Sequence, residues 1–259
     1  MALVHANVIG SSGPDIIVLH GFLGMGDNWK SHARQWHTLG YRVHLIDQRN
    51  HGRSFWSSEF NYTVMSDDLF AYVEQQQLKD FVLVGHSMGG KTAKYFACSH
   101  PELVQRLVVV DIAPKAYPPH HQDILDSLAL LHRTKLSSRQ QADLILEPQL
   151  PNVGLRQFLL KNLYRATPDR LALRLNFEVL KNASSAVGAA LPEGFNFDKP
   201  CLFLAGALSN YILPEDHQNI KEQFPKAKFE VISNVGHWLH VDNPKAFQEV
   251  MHQWMVSEK

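Results

Sequence analysis

The chain has 259 residues, 45% hydrophobic and 19% charged, which is enough for one large α/β domain carrying an insertion or for two small domains. Its 25 Lys and Arg balance 25 Asp and Glu, and no run of five basic residues occurs, so nothing pulls it toward nucleic acid. No apolar run reaches membrane-spanning length, and Met1 to Asn7 lack the charged and then apolar regions of a secretory signal, which predicts a soluble cytoplasmic protein with no membrane partner. Cys98 and Cys201 are too few for a disulfide framework and read as buried structural thiols.

In chain order, Leu3 to Ile9 suits an edge strand, Ser11 to Pro14 a turn, and Ile16 to Leu19 a buried strand. That strand ends at His20-Gly21-Phe22-Leu23-Gly24. In a parallel sheet the loops leaving the carboxyl ends of strands build the site, so the Phe22 N–H faces the crevice. Gly21, Gly24 and Gly26 suggest a phosphate loop, but no Gly-Lys-Ser or Gly-Lys-Thr follows them. Trp29 to Leu39 fits a helix and Tyr41 to Ile46 a strand, and Asp47 to Ser54 form a long polar loop whose role reads as structural. Thr63 to Gln77 is predicted helical, with Val64, Leu69, Tyr72 and Val73 on its apolar face and Asn61 as its cap.

The stretch Asp80 to Gly90 is the most informative. Phe81 to Val84 form a short strand apolar on both faces, and Lys91 to Ser99 continue as helix. Between them lies Gly85-His86-Ser87-Met88-Gly89, a G-x-S-x-G pattern. Two glycines flanking a serine also arise by chance; the strand before and the helix after are what give the pattern meaning. Its glycines let strand and helix cross closely, and the tight turn lifts the Ser87 hydroxyl out of the sheet as a candidate nucleophile.

Leu107 to Val110 form the next buried strand, ending in Asp111-Ile112-Ala113-Pro114. From there to about Asp198 the alternation of strand and helix stops. Ile124 to Leu131, Ser138 to Leu146, Leu155 to Leu163 and Arg170 to Leu180 have helical spacing with no strand between them, which predicts an all-helical insertion. The alternation resumes with Cys201 to Ala205 as strand, Glu215 to Phe224 as helix, Phe229 to Ile232 as strand and Lys245 to Val256 as the closing helix. The expected division is a core over residues 1–113, a helical cap over 114–198 and the rest of the core over 199–259.

A serine hydroxyl is a weak nucleophile at neutral pH, so an imidazole must accept its proton and a carboxylate must hold that imidazole in the right tautomer. Of the 15 histidines, His237 follows the last strand in Gly236-His237-Trp238, where a loop hangs its ring over the crevice. His240 is the alternative, and His120, His121, His132 and His252 suggest no role. The loop after the penultimate strand, Ala205 to Asn210, holds no carboxylate, and Ser209 stands where one is expected. That leaves Asp111, one strand earlier, with Asp216 as the second candidate; a cap on the turn at Pro114 is the structural alternative for Asp111. Backbone N–H groups of Phe22 and Met88 are the candidate oxyanion donors. With no H-e-x-x-H pattern, no Cys-x-x-Cys and no metal-like spacing of His and carboxylates, neither a metal nor an organic cofactor is expected.

Taken together these residues resemble the α/β-hydrolase superfamily over nearly the whole chain. More narrowly, Asp47-Gln48-Arg49-Asn50-His51-Gly52, Gly85 to Lys91 and Asp111-Ile112-Ala113-Pro114 look like the bacterial YbfF esterases. The resemblance implies an α/β-hydrolase fold, with a mostly parallel central sheet, flanking helices and a cap inserted after strand six. It further implies a serine esterase acting on short to medium acyl esters, with acyl-CoA thioesters as a further substrate class. Asp111 matches the family's acid after strand six, and Ser209 matches a serine the family keeps nearby.

For substrate, Arg133 to Lys181 hold nine basic residues against four acidic ones, an excess suited either to an anionic group such as a CoA phosphate or to a solvated helical face. Phe158, Leu159, Leu163, Phe177 and Leu180 fit either an acyl pocket or ordinary packing within the cap. Two other functions stay open: a C–C bond hydrolase or lyase using the same residues, and a non-catalytic ligand-binding module of the same fold.

Overall fold

The computed structural model describes residues 2–119 and 121–256, so His120 lies outside the described residues. The elements follow the expected alternation of strand and helix through the first half: β1 (Ala6–Ile9), β2 (Asp15–Leu19), α1 (Lys30–Thr38), β3 (Arg42–Ile46), α2 (Tyr62–Gln76), β4 (Phe81–His86), α3 (Met88–Ser99) and β5 (Val104–Val110). The α2 cap is the expected one, since the Asn61 side chain accepts from the Val64 N–H and satisfies one of the unpaired first-turn donors. Next come α4 (Gln122–Arg133), α5 (Arg139–Leu146), α6 (Val153–Leu160), β6 (Leu163–Thr167), β7 (Arg170–Leu173), α7 (Phe177–Leu180) and α8 (Ser184–Gly188). The chain closes with β8 (Cys201–Gly206), α9 (Asp216–Gln223), β9 (Ala227–Ile232), α10 (Leu239–Asp242) and α11 (Pro244–Val256).

Among the described residues seven strands form one sheet in the order β1-β3-β2-β4-β5-β8-β9. Every neighbouring pair is parallel except β1 with β3. The period-two geometry of a strand sends alternate side chains to opposite faces. Ile17, Leu19, Leu83, Leu107, Val109 and Phe203 therefore pack with Leu69, Val73 and Phe96 of α2 and α3. Ile16, Val18, Val84, Val108 and Val110 instead meet Trp36 of α1 with Phe247 and Met251 of α11. Each fully buried side chain of this size contributes about 1.5–3 kcal/mol, so both faces anchor the sheet firmly.

The connection from β2 runs to β3 on one side, and the chain then returns past β2 to β4 and continues to β5 on the other. A crevice opens outside the carboxyl ends of the strands where the winding reverses, here at the loops leaving β2 and β4.

One expectation is corrected. The segment between β5 and β8 is not all-helical, because β6 and β7 pair as an antiparallel hairpin, and Arg170 to Leu173 are strand rather than the start of a helix. Leu171 and Leu173 are buried along β7, Leu175 continues the alternation just beyond it as a bridge to His51, and Pro168 and Asp169 form the turn. The insertion begins after β5, the strand that leads into Asp111 and stands where the family counts its sixth. Its buried face, including Leu125, Leu128, Leu159, Leu163 and Phe177, shares one apolar cluster with Phe22, Leu23, Tyr62 and Met88. The insertion thus packs directly over the crevice.

Candidate active site

Ser87 stands between the last residue of β4 and the first of α3 at φ 53° and ψ −119°, a left-handed conformation that costs a non-glycine residue about 1–3 kcal/mol. Close crossing explains the flanking glycines: a Cβ on Gly85 would lie 2.2 Å from the Gly89 carbonyl oxygen, and one on Gly89 would lie 2.3 Å from that of Leu19. The Ser87 N–H donates to the Val110 carbonyl at 3.0 Å, which fixes the turn against β5.

Asp111 leaves β5 next door, also at positive φ, and is fully buried. Its Oδ2 lies 2.8 Å from His237 Nδ1 and accepts from the Ser209 hydroxyl, while Oδ1 accepts from the Gly206 N–H at 3.2 Å. Burial pushes the Asp111 carboxyl up to about 6, and the Ser209 and Gly206 donors hold it from rising further. The His237 ring stacks on Tyr211 at 4.0 Å. Its carbonyl accepts from His86 Nε2 at 2.9 Å, so that nitrogen carries the His86 proton. Burial first, and the nearby His237 second, push His86 down to about 3, and the ring stays neutral at pH 7.

Ser87, His237 and Phe22 line one small cavity of about 40 Å³ with Leu23, His121, Leu155, Phe158 and Trp238. Of the five aromatic and aliphatic candidates from the insertion, Phe158 and Leu159 face it, and Leu163, Phe177 and Leu180 are packing residues. His121, for which sequence suggests no role, sits edge-on to Phe22 at 5.2 Å on this wall. A second cavity of about 480 Å³ shares His86, His237, Phe158 and Trp238 with the first and is edged with Asn28, Gln157, Lys161 and Asp242.

The alternatives fall elsewhere. His240 is buried flat against Trp29 at 4.2 Å, and Asp216 pairs with Lys115 at 2.7 Å. Three of the nine basic residues of the insertion are paired within it, Arg156 buried against Asp143, Lys135 with Asp169 and Lys181 with Glu178, and such pairing leaves the net basic excess unchanged. Of those nine residues, Lys161 lines the larger cavity. Burial pushes the thiols of Cys98 and Cys201 up to about 12, as suits packing residues. Among the described residues no group of three or more His, Cys, Asp or Glu is arranged to hold a metal ion.

The polar loop Asp47 to Ser54 scaffolds the candidate oxyanion side. Gly26 N–H donates to Asp47 Oδ1 at 2.7 Å, Gln48 N–H to His20 Nε2 at 3.0 Å, and Leu23 N–H to His51 Nε2 at 3.2 Å. Burial lowers His20 to about 4 and His51 to about 3, which keeps both accepting nitrogens unprotonated. Arg49 closes the loop with a bidentate, buried pair to Asp68.

A mostly parallel sheet with a strained serine at its central strand and a buried aspartate paired to a histidine beside it defines a hydrolase of the α/β class. The alpha/beta hydrolase fold family model matches residues 14–244, and the chain belongs to that family. Within it, the sn-1-specific diacylglycerol lipase ABHD11 of Mus musculus is 36% identical over 94% of this chain and 81% of its own length. Esterase YbfF of Escherichia coli (strain K12) is 30% identical over 93% of this chain and 92% of its own. The solved structure of a marine microorganism esterase, 36% identical, superposes with a TM-score of 0.92 over 98% of this chain and all of the other.

Proposed function

We propose that this carboxylic ester hydrolase works through an acyl-enzyme on Ser87, with short-chain acyl esters as its first substrate class and acyl thioesters, including acyl-CoA, as the second. His237 takes the Ser87 Oγ proton as the oxygen attacks the carbonyl carbon, and Asp111 orients the ring and stabilises the imidazolium that results. The negative charge that develops on the carbonyl oxygen is met by the N–H groups of Phe22 and Met88. His237 then passes the proton to the departing oxygen or sulfur, and a water repeats the sequence to release the acid. Ser209 supports Asp111 through its hydroxyl hydrogen bond. The insertion acts as a cap that walls the acyl side with Phe158 and Leu159.

The observation that carries this reading is the 2.8 Å contact between Asp111 and His237 beside a strained Ser87 on the same cavity. The small volume there favours short acyl groups, and the larger cavity that shares His237 suits the leaving group. A C–C bond hydrolase or lyase would use the same residues and is separated from an esterase by its failure to turn over simple p-nitrophenyl esters. A binding module has no need of a serine held in strain or of a fully buried carboxylate.

The test is a ladder of p-nitrophenyl esters from acetate to palmitate beside acetyl-CoA to palmitoyl-CoA, with Ser87→Ala as control. Turnover confined to native protein and strongest at short acyl lengths is expected. Turnover of neither series would overturn the reading, and a preference for the longest chains would overturn the short-acyl assignment.

A further inference from the structure

Leu23, one residue beyond Phe22, sits at φ 61°, a left-handed backbone that an L side chain adopts only under constraint. Its loop is tied at three points. Gly24 N–H donates back to the Gly21 carbonyl at 3.0 Å, Leu23 N–H donates to His51 Nε2 at 3.2 Å, and the Leu23 carbonyl accepts from Asn162 Nδ2 at 2.8 Å. The first two ties are made within the amino-terminal part of the sheet. The third comes from the insertion, 139 residues away.

Asn162 is fully buried at the corner between α6 and β6. Its backbone is locked there, donating to the Leu159 carbonyl and accepting from the Arg174 N–H. The side-chain amide also donates to the Leu159 carbonyl at 3.2 Å, so Nδ2 faces two acceptors and the alternative orientation of the amide would set oxygen against oxygen. Its Oδ1 has no hydrogen-bond partner among the described residues. A fully buried amide with one end unsatisfied is poor packing chemistry, and an apolar side chain would fill the corner at lower cost. The gain from the asparagine therefore lies in what its N–H holds.

A second tie runs parallel to the first. Asn176 of the insertion donates its N–H to the Asn50 carbonyl at 2.9 Å and its Nδ2 to Asn50 Oδ1 at 3.0 Å. Asn50 is itself at φ 66° and immediately precedes His51. The insertion thus grips Leu23 directly through Asn162 and, through Asn50, the loop that carries His51.

We propose that Asn162 is a positioning residue: its amide holds the Leu23 carbonyl so that the adjoining Phe22 N–H points at the developing oxyanion, which makes the transition-state donor depend on how the insertion is seated. The proposal rests on the reading of Phe22 as an oxyanion donor. The same helix α6 contributes Leu155, Phe158 and Leu159 to the small cavity. An acyl chain too long for that cavity pushes on α6, moves Asn162 and misaims the donor, which couples acyl size to the rate of chemistry as well as to binding.

The test is steady-state kinetics of native protein, Asn162→Leu and Asn162→Ala on p-nitrophenyl acetate, with melting temperatures. Asn162→Leu removes the donor at similar volume and is expected to lower kcat by about tenfold or more with KM within about twofold, short of the about 10²–10³ that deletion of an oxyanion donor costs. Asn162→Ala leaves room for a water to donate to Leu23 and is expected to lose less, an order opposite to that of packing alone. Ser138→Ala is the control, since it removes the α5 cap on Gln141 and loosens the insertion without touching Leu23. An Asn162→Leu enzyme no slower in kcat than Ser138→Ala at matched stability, or Ala worse than Leu, would overturn the proposal. Should Asn162→Leu not fold, Asn162→Ala against Ser138→Ala decides it. A native protein that neither turns over esters nor accepts a fluorophosphonate on Ser87 would instead sink the underlying reading.

Discussion

Asp111 and His237 meet across 126 residues of chain, carboxylate to ring nitrogen at 2.8 Å, and the carboxylate arrives from the end of β5 rather than from the loop after β8. That loop supplies Ser209 instead, whose hydroxyl binds the same carboxylate oxygen. In the proposed triad the two adjacent strand ends divide one task, acid from one and supporting donor from the other. Asp111→Asn is therefore expected to fold, because an amide oxygen still accepts from Gly206, and to lose about 10³–10⁴ in kcat through the wrong imidazole tautomer. Asp216→Asn weakens the pair with Lys115 and leaves an amide oxygen to accept from the Leu213 N–H, and it is expected to stay within about twofold of native activity. Esterase kinetics with circular dichroism of both variants check this, and the reverse pattern would move the acid.

The pH dependence follows from the raised Asp111 carboxyl. Its folded value of about 6 lies above the ordinary 3.8, so the folded state holds the proton more tightly than the unfolded state between those values. The cost of burying the charge is absent below pH 3.8, grows as pH rises and is fully present above about 6. Relative to Asp111→Asn, native protein is expected to lose stability between pH 4 and 6.5, by roughly 1–3 kcal/mol. Activity moves the other way, with an acid limb near pH 6 that belongs to the Asp-His pair. Ser209→Ala removes a donor that lowers the carboxyl and is expected to shift that limb upward; a limb that stays put in a pH–rate profile would contradict the assignment.

Phe158 bounds both cavities and lies 5.9 Å from Trp238. Phe158→Ala joins the acyl side to the larger space, and the preferred acyl length is expected to move from two or three carbons toward eight or more in about the same assay. An unchanged preference would show that the limit lies elsewhere.

Lys91, one turn into α3, is buried, and its ammonium donates to the carbonyls of Lys115, Gly188 and Ala189, at both roots of the insertion. Burial pushes it down to about 7. Lys91→Met strips all three carbonyls of this donor and is expected to cost about 2–4 kcal/mol, seen as a melting temperature lower by roughly 5–10 °C and faster limited proteolysis at the roots. Unchanged melting would show that the roots are held by other contacts.

How much of this was legible in the sequence depended on the range of each interaction. Ser87 is announced locally, because a strand, a tight turn and a helix all leave signals within a dozen residues. His237 and Asp111 follow from one topological rule, that strand ends face the crevice. The β6-β7 hairpin was missed although Leu171, Leu173 and Leu175 alternate and Pro168-Asp169 mark a turn; the neighbouring helical spacing dominated the reading. Asn162 and Asn176 left no signal and Lys91 stood only inside the resemblance motif, since each reaches a partner more than 90 residues away and a lone asparagine or lysine carries no pattern. The basic excess of the insertion was visible in the sequence, whereas the burial of Arg156 against Asp143 was not, because charge counts carry no positions.

The central claim is that Ser87 is a nucleophile activated by His237 and Asp111, and the most direct measurement is the rate of covalent labelling by a fluorophosphonate, read by intact mass and peptide mapping. The account predicts a single adduct on Ser87, slowed by about 10³ or more in His237→Ala and Asp111→Asn and absent in Ser87→Ala. An adduct elsewhere, or one on Ser87 that forms equally fast without His237, would contradict it.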